Sequence, residues 1–282
     1  MDIVDILLVL PSALFVLIVG ACVGSFLNVV VYRLPAGLSV IFPSSRCPAC
    51  LNKLKAYDNV PVFGWLWLRG RCRYCRSQIS IRYPLVEAVT SILFLLVFCK
   101  FGWSGENIAY WQTLGYCAFL SWLLALSLID IDTMTLPNAL TQSGLVTGLV
   151  FKTGLGFLTA FSLAGSVNQL MSGVVGAVLG IWFFDLIIVV GSVAFGQAAM
   201  GGGDAKLAGM MGAWLGWKYL LLAGFLACTV GAFAGGSAIA LGKLDRRQPM
   251  PFGPFLALGA GLTIFFGQDI LATYLKLFFP LF

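Results

Sequence analysis

ILLVLPSALFVLIVGACVGSFLNVVVY, residues Ile6–Tyr32, runs 27 residues without a charge. About 20 predominantly apolar residues suffice for a helix to cross the hydrocarbon core of a bilayer, so this stretch reads as a transmembrane helix. The chain opens MDIVD, with acids where a secretory leader carries a positively charged segment, and the apolar run is too long for such a leader. The reading is therefore a retained first helix. Further apolar segments follow near residues 84–101, 108–129, 137–151, 172–195 and 255–278, with two more between 205 and 241 divided near Gly216–Lys218. Composition agrees, since 60% of the 282 residues are hydrophobic and 10% are charged, against about 25% charged in soluble domains. The expected fold is an all-α polytopic membrane protein with about eight transmembrane helices and one small polar insert. The expected division is a first helix at 1–32, the insert at 33–83 and a transmembrane core at 84–282.

The insert carries nine basic residues (Arg33, Arg46, Lys53, Lys55, Arg69, Arg71, Arg73, Arg76 and Arg82) and one acid, Asp58. Basic loops are retained in the cytoplasm, so the insert is expected there, and the net charge of +6 reflects topology. No nucleic-acid partner is needed to explain it. Within the insert, Cys47-Pro-Ala-Cys50 and Cys72-Arg-Tyr-Cys75 are two CxxC pairs with 21 residues between them. Each pair can aim two thiolates at one centre, and four thiolates close a tetrahedral structural zinc site with no open position for substrate. Two disulfides are the alternative, and they require an oxidising compartment. Cys22, Cys99, Cys117 and Cys228 are isolated in apolar runs and read as small packed hydrophobes.

Two acidic sites lie at the edges of apolar runs. One edge is LLALSLIDIDTMTLPNALT (Leu123–Thr141), with Asp130 and Asp132; the other is GGGDAKL (Gly201–Leu207), with Asp204. A carboxylate near hydrocarbon is costly and is read first as functional. Alternating the segments from a cytoplasmic insert puts both edges on the cytoplasmic side, together with KLDRRQ (Lys243–Gln248). The chain has no histidine, which excludes Ser-His and Cys-His hydrolysis and histidine-bound catalytic metals. Two carboxylates remain sufficient. Brought close, they share one proton; the ionised member activates water and the protonated member polarises a carbonyl. The three glycines before Asp204 allow unusual backbone angles or close approach of an extended substrate, although GGGD is also an ordinary helix-start loop. Residue chemistry does not choose between Asp130 and Asp132, which point to different faces of a helix. Asp185 is expected to make a structural hydrogen bond to a neighbouring helix, Glu87 to suit a helix N-terminus, and Lys206 either to pair with a carboxylate or to mark a boundary. The 33 glycines read as helix-packing residues, with no internal repeat.

Five ordered stretches resemble the type IV prepilin peptidases, the bacterial leader peptidase/N-methyltransferases: GSFLNVVVYRLP (Gly24–Pro35), CPAC followed by NVPVFGWLWLRGRCRYCRSQISIRYPLVEAVTS (Asn59–Ser91), IDIDTMTLPNALT (Ile129–Thr141), GGGDAKL (Gly201–Leu207) and PMPFGPFLALGA (Pro249–Ala260). The resemblance implies a GxGD-type intramembrane aspartic protease of the bacterial inner membrane. It would cut a short basic leader from prepilins and type II secretion pseudopilins on the cytoplasmic side, then methylate the new N-terminal amine with S-adenosylmethionine. It implies Asp130 and Asp204 as the catalytic pair, so it selects Asp130 over Asp132, and it implies Cys47, Cys50, Cys72 and Cys75 as zinc ligands. The chain departs from the family pattern at Asn138, where Asp is common, at Gly64, where Ser is common, and in a longer segment between the two aspartates. It has no Rossmann-type glycine fingerprint for the methyl donor, and the insert with nearby Glu87 is the expected location of that activity. The partners implied are prepilin or pseudopilin substrates and membrane lipid, and a homo-oligomer is compatible with this reading. Two rival readings are a proton-coupled transporter using Asp130, Asp185 and Asp204, and a non-enzymatic zinc-ribbon membrane adaptor.

Overall fold

A computed structural model describes residues 3–102, 106–195, 201–243, 245 and 250–278. Among these, helices dominate and no β-strand forms. Seven helices are long and apolar enough to cross a membrane, and an eighth apolar helix, Gly202–Leu215, spans 14 residues. The chain is a multi-pass membrane protein built as two compact units, Met1–Gly105 and Glu106–Phe282.

In the first unit, helices α1 (Ile3–Arg33) and α3 (Arg82–Phe101) pack along each other. They meet through two small residues one turn apart on α1. A Cβ at Gly20 would stand 2.8 Å from Cα of Ser91, and one at Gly24 would stand 2.7 Å from Cα of Glu87. In lipid, such close backbone approach gives helices their dispersion contact, since there is no hydrophobic drive between them. The interface adds two hydrogen bonds: Ser91 Oγ donates to Leu17 O at 2.8 Å and Asn28 Nδ2 donates to Tyr83 O at 3.1 Å.

Between them lies the polar insert, with a single 3₁₀ turn (Ala56–Asn59) and a one-turn helix α2 (Phe63–Trp67). Its regular structure is too short to bury a core, and two polar clamps hold it. Arg73 donates from Nε and Nη2 to the carboxylate of Asp58, whose side chain is 2% exposed. Trp65 Nε1 donates to Ile79 O at 3.0 Å. Glu87 is not at the N-terminus of α3. It lies in the second turn, buried, where its Oε2 accepts the Val62 N–H at 2.7 Å. Val62 adopts φ 62°, ψ −54°, a conformation that a β-branched residue holds only when its surroundings enforce it.

The second unit comprises α4 (Asn107–Thr133), α5 (Asn138–Ala160), α6 (Leu163–Phe195), α7 (Gly202–Leu215), α8 (Trp217–Ala240) and α9 (Gly253–Phe278). Helix α7 is its centre, with every residue from Asp204 to Leu215 buried except Lys206. Trp214, 1% exposed, stacks on Phe119 of α4 at 4.9 Å and on Phe151 of α5 at 5.0 Å, and its Nε1 donates to Gly144 O at 2.8 Å. On the other side, Gly212 of α7 and Gly176 of α6 lie backbone against backbone. The outward faces stay apolar, as at Trp182, Val193 and Phe233, exposed by 71%, 81% and 75%. In a membrane chain these face lipid.

Three expectations differ from what is found. The apolar segment expected to fade near Phe151 continues to Ala160, and the next begins at Leu163, so α5 and α6 are joined by a two-residue turn with Phe161 in the left-handed region. The polar residues that suggested a loop satisfy each other between helices: Lys152 Nζ donates to Gln169 Oε1 at 3.4 Å. Of the four isolated cysteines only Cys117 is packed inside; Cys22, Cys99 and Cys228 lie on exposed helix faces. Asp185 is also exposed on α6 and makes no hydrogen bond among the described residues. Most of the Lys243–Gln248 run lies outside the described residues.

Candidate active site and metal centre

The cysteine cluster comes from two copies of one small loop. Around the first CxxC pair, Cys47 N–H donates to Asn52 O, Leu51 N–H donates to Cys47 O, and Arg46 bridges Lys53. Around the second, Cys72 N–H donates to Ser77 O, Arg76 N–H donates to Cys72 O, and Arg71 bridges Gln78. The residue after each second cysteine is left-handed, Leu51 at φ 59° and Arg76 at φ 60°. No internal repeat is evident in the residues themselves, but the backbone repeats here, because it is turn geometry that is shared.

These turns bring all four sulfurs within 4.8 Å of one another, with Cys47–Cys75 at 3.7 Å and Cys50–Cys72 at 4.0 Å. A disulfide needs S–S near 2.05 Å, so the four are free thiols, as no pair approaches that distance. A zinc–sulfur bond of about 2.3 Å gives a tetrahedral edge of about 3.8 Å, and the quartet fits that size. The Cys50 N–H aimed at its sulfur brings Cys47 down to about 6, a thiolate at neutral pH. Cys50 has a similar donor in the Asn52 N–H, yet burial and the crowding of Cys75, Cys47 and Cys72 push it up to about 11. Four thiolates could sit this close only around a cation that neutralises them, and Cys47, Cys50, Cys72 and Cys75 could hold one.

The acids converge at one end of the second unit. Helix α4 runs through both Asp130 and Asp132 before Met134 turns left-handed, φ 51° and ψ 33°, and caps it by donating its N–H to Asp130 O. The two side chains part company there: Asp130 is 5% exposed and Asp132 faces outward. Asp204, 6% exposed, lies in the first turn of α7, where an acid suits the helix dipole. Asp130 and Asp204 are both buried and near enough for the charge of one to act on the other, whereas Asp132 is exposed. The third component is the start of α9. Gly253 donates its backbone N–H to Asp130 Oδ2 at 2.9 Å.

The three glycines serve other purposes than unusual angles. None has a positive φ, and Gly201 is an extended N-cap at φ −78°, ψ 142°. A Cβ at Gly203 would come within 3.1 Å of Leu136, so its bare backbone seats the α4–α5 loop against α7. A Cβ at Gly202 would meet nothing within 4 Å, which leaves open backbone two residues from Asp204.

Residues 18–101 match the model of the bacterial peptidase A24 N-terminal domain, and residues 117–236 match that of the type IV leader peptidase family. The chain is 35% identical to a prepilin leader peptidase/N-methyltransferase of Stutzerimonas stutzeri, over 95% of each chain. Proteins of the same name from Aeromonas hydrophila and Pectobacterium carotovorum subsp. carotovorum are 37% and 38% identical; these alignments cover 91% and 86% of this chain, and 91% and 88% of theirs. The chain belongs to the type IV leader peptidase family. No solved structure matches it. The two matched stretches contain the cysteine quartet, Asp130 and Asp204, and Gly253 lies beyond them.

The family departure at Asn138 has a structural counterpart. Lys206 Nζ donates to Asn138 Oδ1 at 2.8 Å, tying the start of α7 to the start of α5. Lys206 therefore pairs with an amide rather than with either buried carboxylate in this contact. Asn138→Asp converts the contact into an ion pair and places an acid at the N-terminus of α5. The expected gain is about 0.5–1 kcal/mol, as for an exposed pair, read as a small rise in the thermal unfolding midpoint in detergent with leader cleavage unchanged. A lowered midpoint would mean that the amide NH₂ is needed there.

Proposed function

We propose that this leader peptidase removes the leader from type IV prepilins and type II secretion pseudopilins by hydrolysis between Asp130 and Asp204, then methylates the new N-terminal amine. Cleavage and N-methylation are the two activities in the names of its relatives. The observation that supports the hydrolytic assignment is the pair of buried carboxylates, on α4 and α7, near enough for the charge of Asp130 to act on Asp204, in a chain without histidine.

Two close carboxylates cannot both be ionised near neutral pH, so they hold one proton between them. The ionised member takes a proton from water as that water's oxygen bonds to the scissile carbonyl carbon. The protonated member gives its proton to the carbonyl oxygen, forming a neutral gem-diol. Collapse of the diol breaks the C–N bond: one carboxyl protonates the departing amine and the other recovers the hydroxyl proton, which restores the starting state. The open backbone at Gly202 leaves room for an extended segment of substrate beside Asp204.

The metal held by Cys47, Cys50, Cys72 and Cys75 is zinc in this reading, and it supplies folding energy to the insert. S-adenosylmethionine is the methyl donor; its sulfonium methyl passes to the free amine made by cleavage. Glu87 is engaged in clamping Val62, with Ser25 also within hydrogen-bonding reach, so it supports the insert. The excess of basic residues in the insert supports a cytoplasmic location for it, in the inner membrane.

Intact mass of a prepilin co-expressed with the protein tests this reading. Loss of the leader with one added methyl group is the expected result. An unchanged precursor would overturn it and favour a transporter or an adaptor. The transporter reading lacks structural support, because Asp185 lies exposed on α6.

A further inference from the structure

We infer that Gly253 is a positioning residue for hydrolysis: the backbone N–H at the start of α9 fixes the Asp130 carboxylate, and only glycine leaves that carboxylate its place. The inference rests on the reading of Asp130 and Asp204 as the hydrolytic pair.

Three observations converge. First, Gly253 N–H donates to Asp130 Oδ2 at 2.9 Å, a buried contact between residues 123 apart in sequence. Second, Gly253 is the first residue of α9. The first N–H groups of a helix have no partner inside it, so this donor is available, and the positive end of the helix dipole favours the negative charge it meets. Third, a Cβ at Gly253 would stand 2.8 Å from Asp130 Oδ2 and 3.2 Å from its Cγ. Any side chain at 253 therefore displaces the carboxylate itself.

The consequence is directional. With Oδ2 held by α9, a carboxylate on α4 has one oxygen fixed and the other, Oδ1, left to act on water. A buried carboxylate on a mobile rotamer would have to find that orientation in each turnover. Misplacing a reacting group by about 1 Å can cost about 100-fold in rate, while substrate binding along the rest of the site is untouched. Gly253 thus acts on kcat and leaves KM in place. Gly259, on the same helix, differs. A Cβ there would run into the backbone carbonyl of Ala223 on α8, away from the acids, so Gly259 is a packing residue.

The test uses the full chain in detergent with a prepilin substrate. Gly253→Ala is expected to lower kcat for cleavage about 10- to 100-fold, with KM within about twofold and the unfolding midpoint close to that of the wild type. Gly236→Ala, where a Cβ meets nothing within 4 Å, serves as the neutral comparator. Gly259→Ala is expected to lower the midpoint, with activity falling only as the folded fraction falls. Wild-type kcat in Gly253→Ala overturns the inference, as does a loss that tracks the unfolding midpoint in the manner of Gly259→Ala. A second measurement avoids any variant at 253. Amide hydrogen exchange at Gly253 is expected to be slow in the wild type and at least tenfold faster in Asp130→Ala, because no helical partner protects a first-turn N–H. Equal exchange in the two overturns the inference. Asp130→Asn, assayed alongside, separates the two readings. If it still cleaves, the pair itself fails; if it is inactive while Gly253→Ala is normal, only the positioning role fails.

Discussion

Asp130→Asn and Asp204→Asn are each expected to lower prepilin cleavage by a factor on the order of 10³ or more, the loss that follows removal of a general acid or base. The substitution is nearly isosteric. Asn at 130 keeps an oxygen to accept the Gly253 N–H that now meets Asp130 Oδ2, so the start of α9 stays seated and the helices remain packed. What is lost is the proton-accepting oxygen and the shared proton. Asp132→Asn is the matched control, since Asp132 faces outward on the same helix, and its cleavage rate should stay within a few-fold of the wild type. Methylation of a substrate supplied already cleaved should continue in all three variants, because the amine is then present from the start. Quantifying precursor and mature forms by mass against time reads both activities in one assay. Full processing by Asp130→Asn or Asp204→Asn would sink the pair.

Loss of the metal is the other large effect. Cys72→Ser, at a residue 1% exposed, or removal of the ion by a strong chelator, is expected to unfold the insert. A structural zinc in a small domain contributes on the order of 10 kcal/mol. The insert has little to set against that loss: one 3₁₀ turn, one short helix, two isolated bridges and the Asp58–Arg73 pair. Without a cation at their centre, the four sulfurs within 4.8 Å of one another have nothing that ties the two CxxC turns together. The expected readout is the loss of about one equivalent of metal per chain together with rapid proteolysis between Arg33 and Arg82, while the seven apolar helices stay in the membrane fraction. A chelated protein whose insert resists protease as before would show that the fold of the insert does not depend on the ion.

How much of this was legible in the residues differs from element to element. Local features were the legible ones. Long apolar runs with few or no charges announce α1, α3, α4, α8 and α9, because burying backbone in lipid forces helices wherever the side chains are apolar. Paired CxxC turns at the right spacing announce a metal centre, because each turn is a local structure. The segments broken by Lys152, Asn168 and Gln169 misled, since hydropathy counts polar residues without knowing whether they face each other across two helices. The three glycines were readable as close-approach residues, but the sequence did not say that Leu136 fills the space at Gly203 while Gly202 stays open. Glu87 looked like a helix-start acid and turned out to clamp Val62, 25 positions earlier in the chain.

The sequence by itself determined a multi-pass helical chain, a four-cysteine cluster and a short list of carboxylates where none is cheap to place. These follow from composition and near-neighbour spacing, which act within a turn or a helix. Residue chemistry left Asp130 and Asp132 equal and only the family resemblance separated them; the tertiary structure buries Asp130, leaves Asp132 exposed, and alone shows that α9 delivers a backbone N–H to Asp130. Asp130 and Asp132 are chemically identical and two residues apart. The choice between them is made by packing, and the donor is a main-chain group that every residue but proline carries, 123 positions away. Nothing in a local pattern encodes such a contact; it exists because α4, α7 and α9 are packed into one bundle.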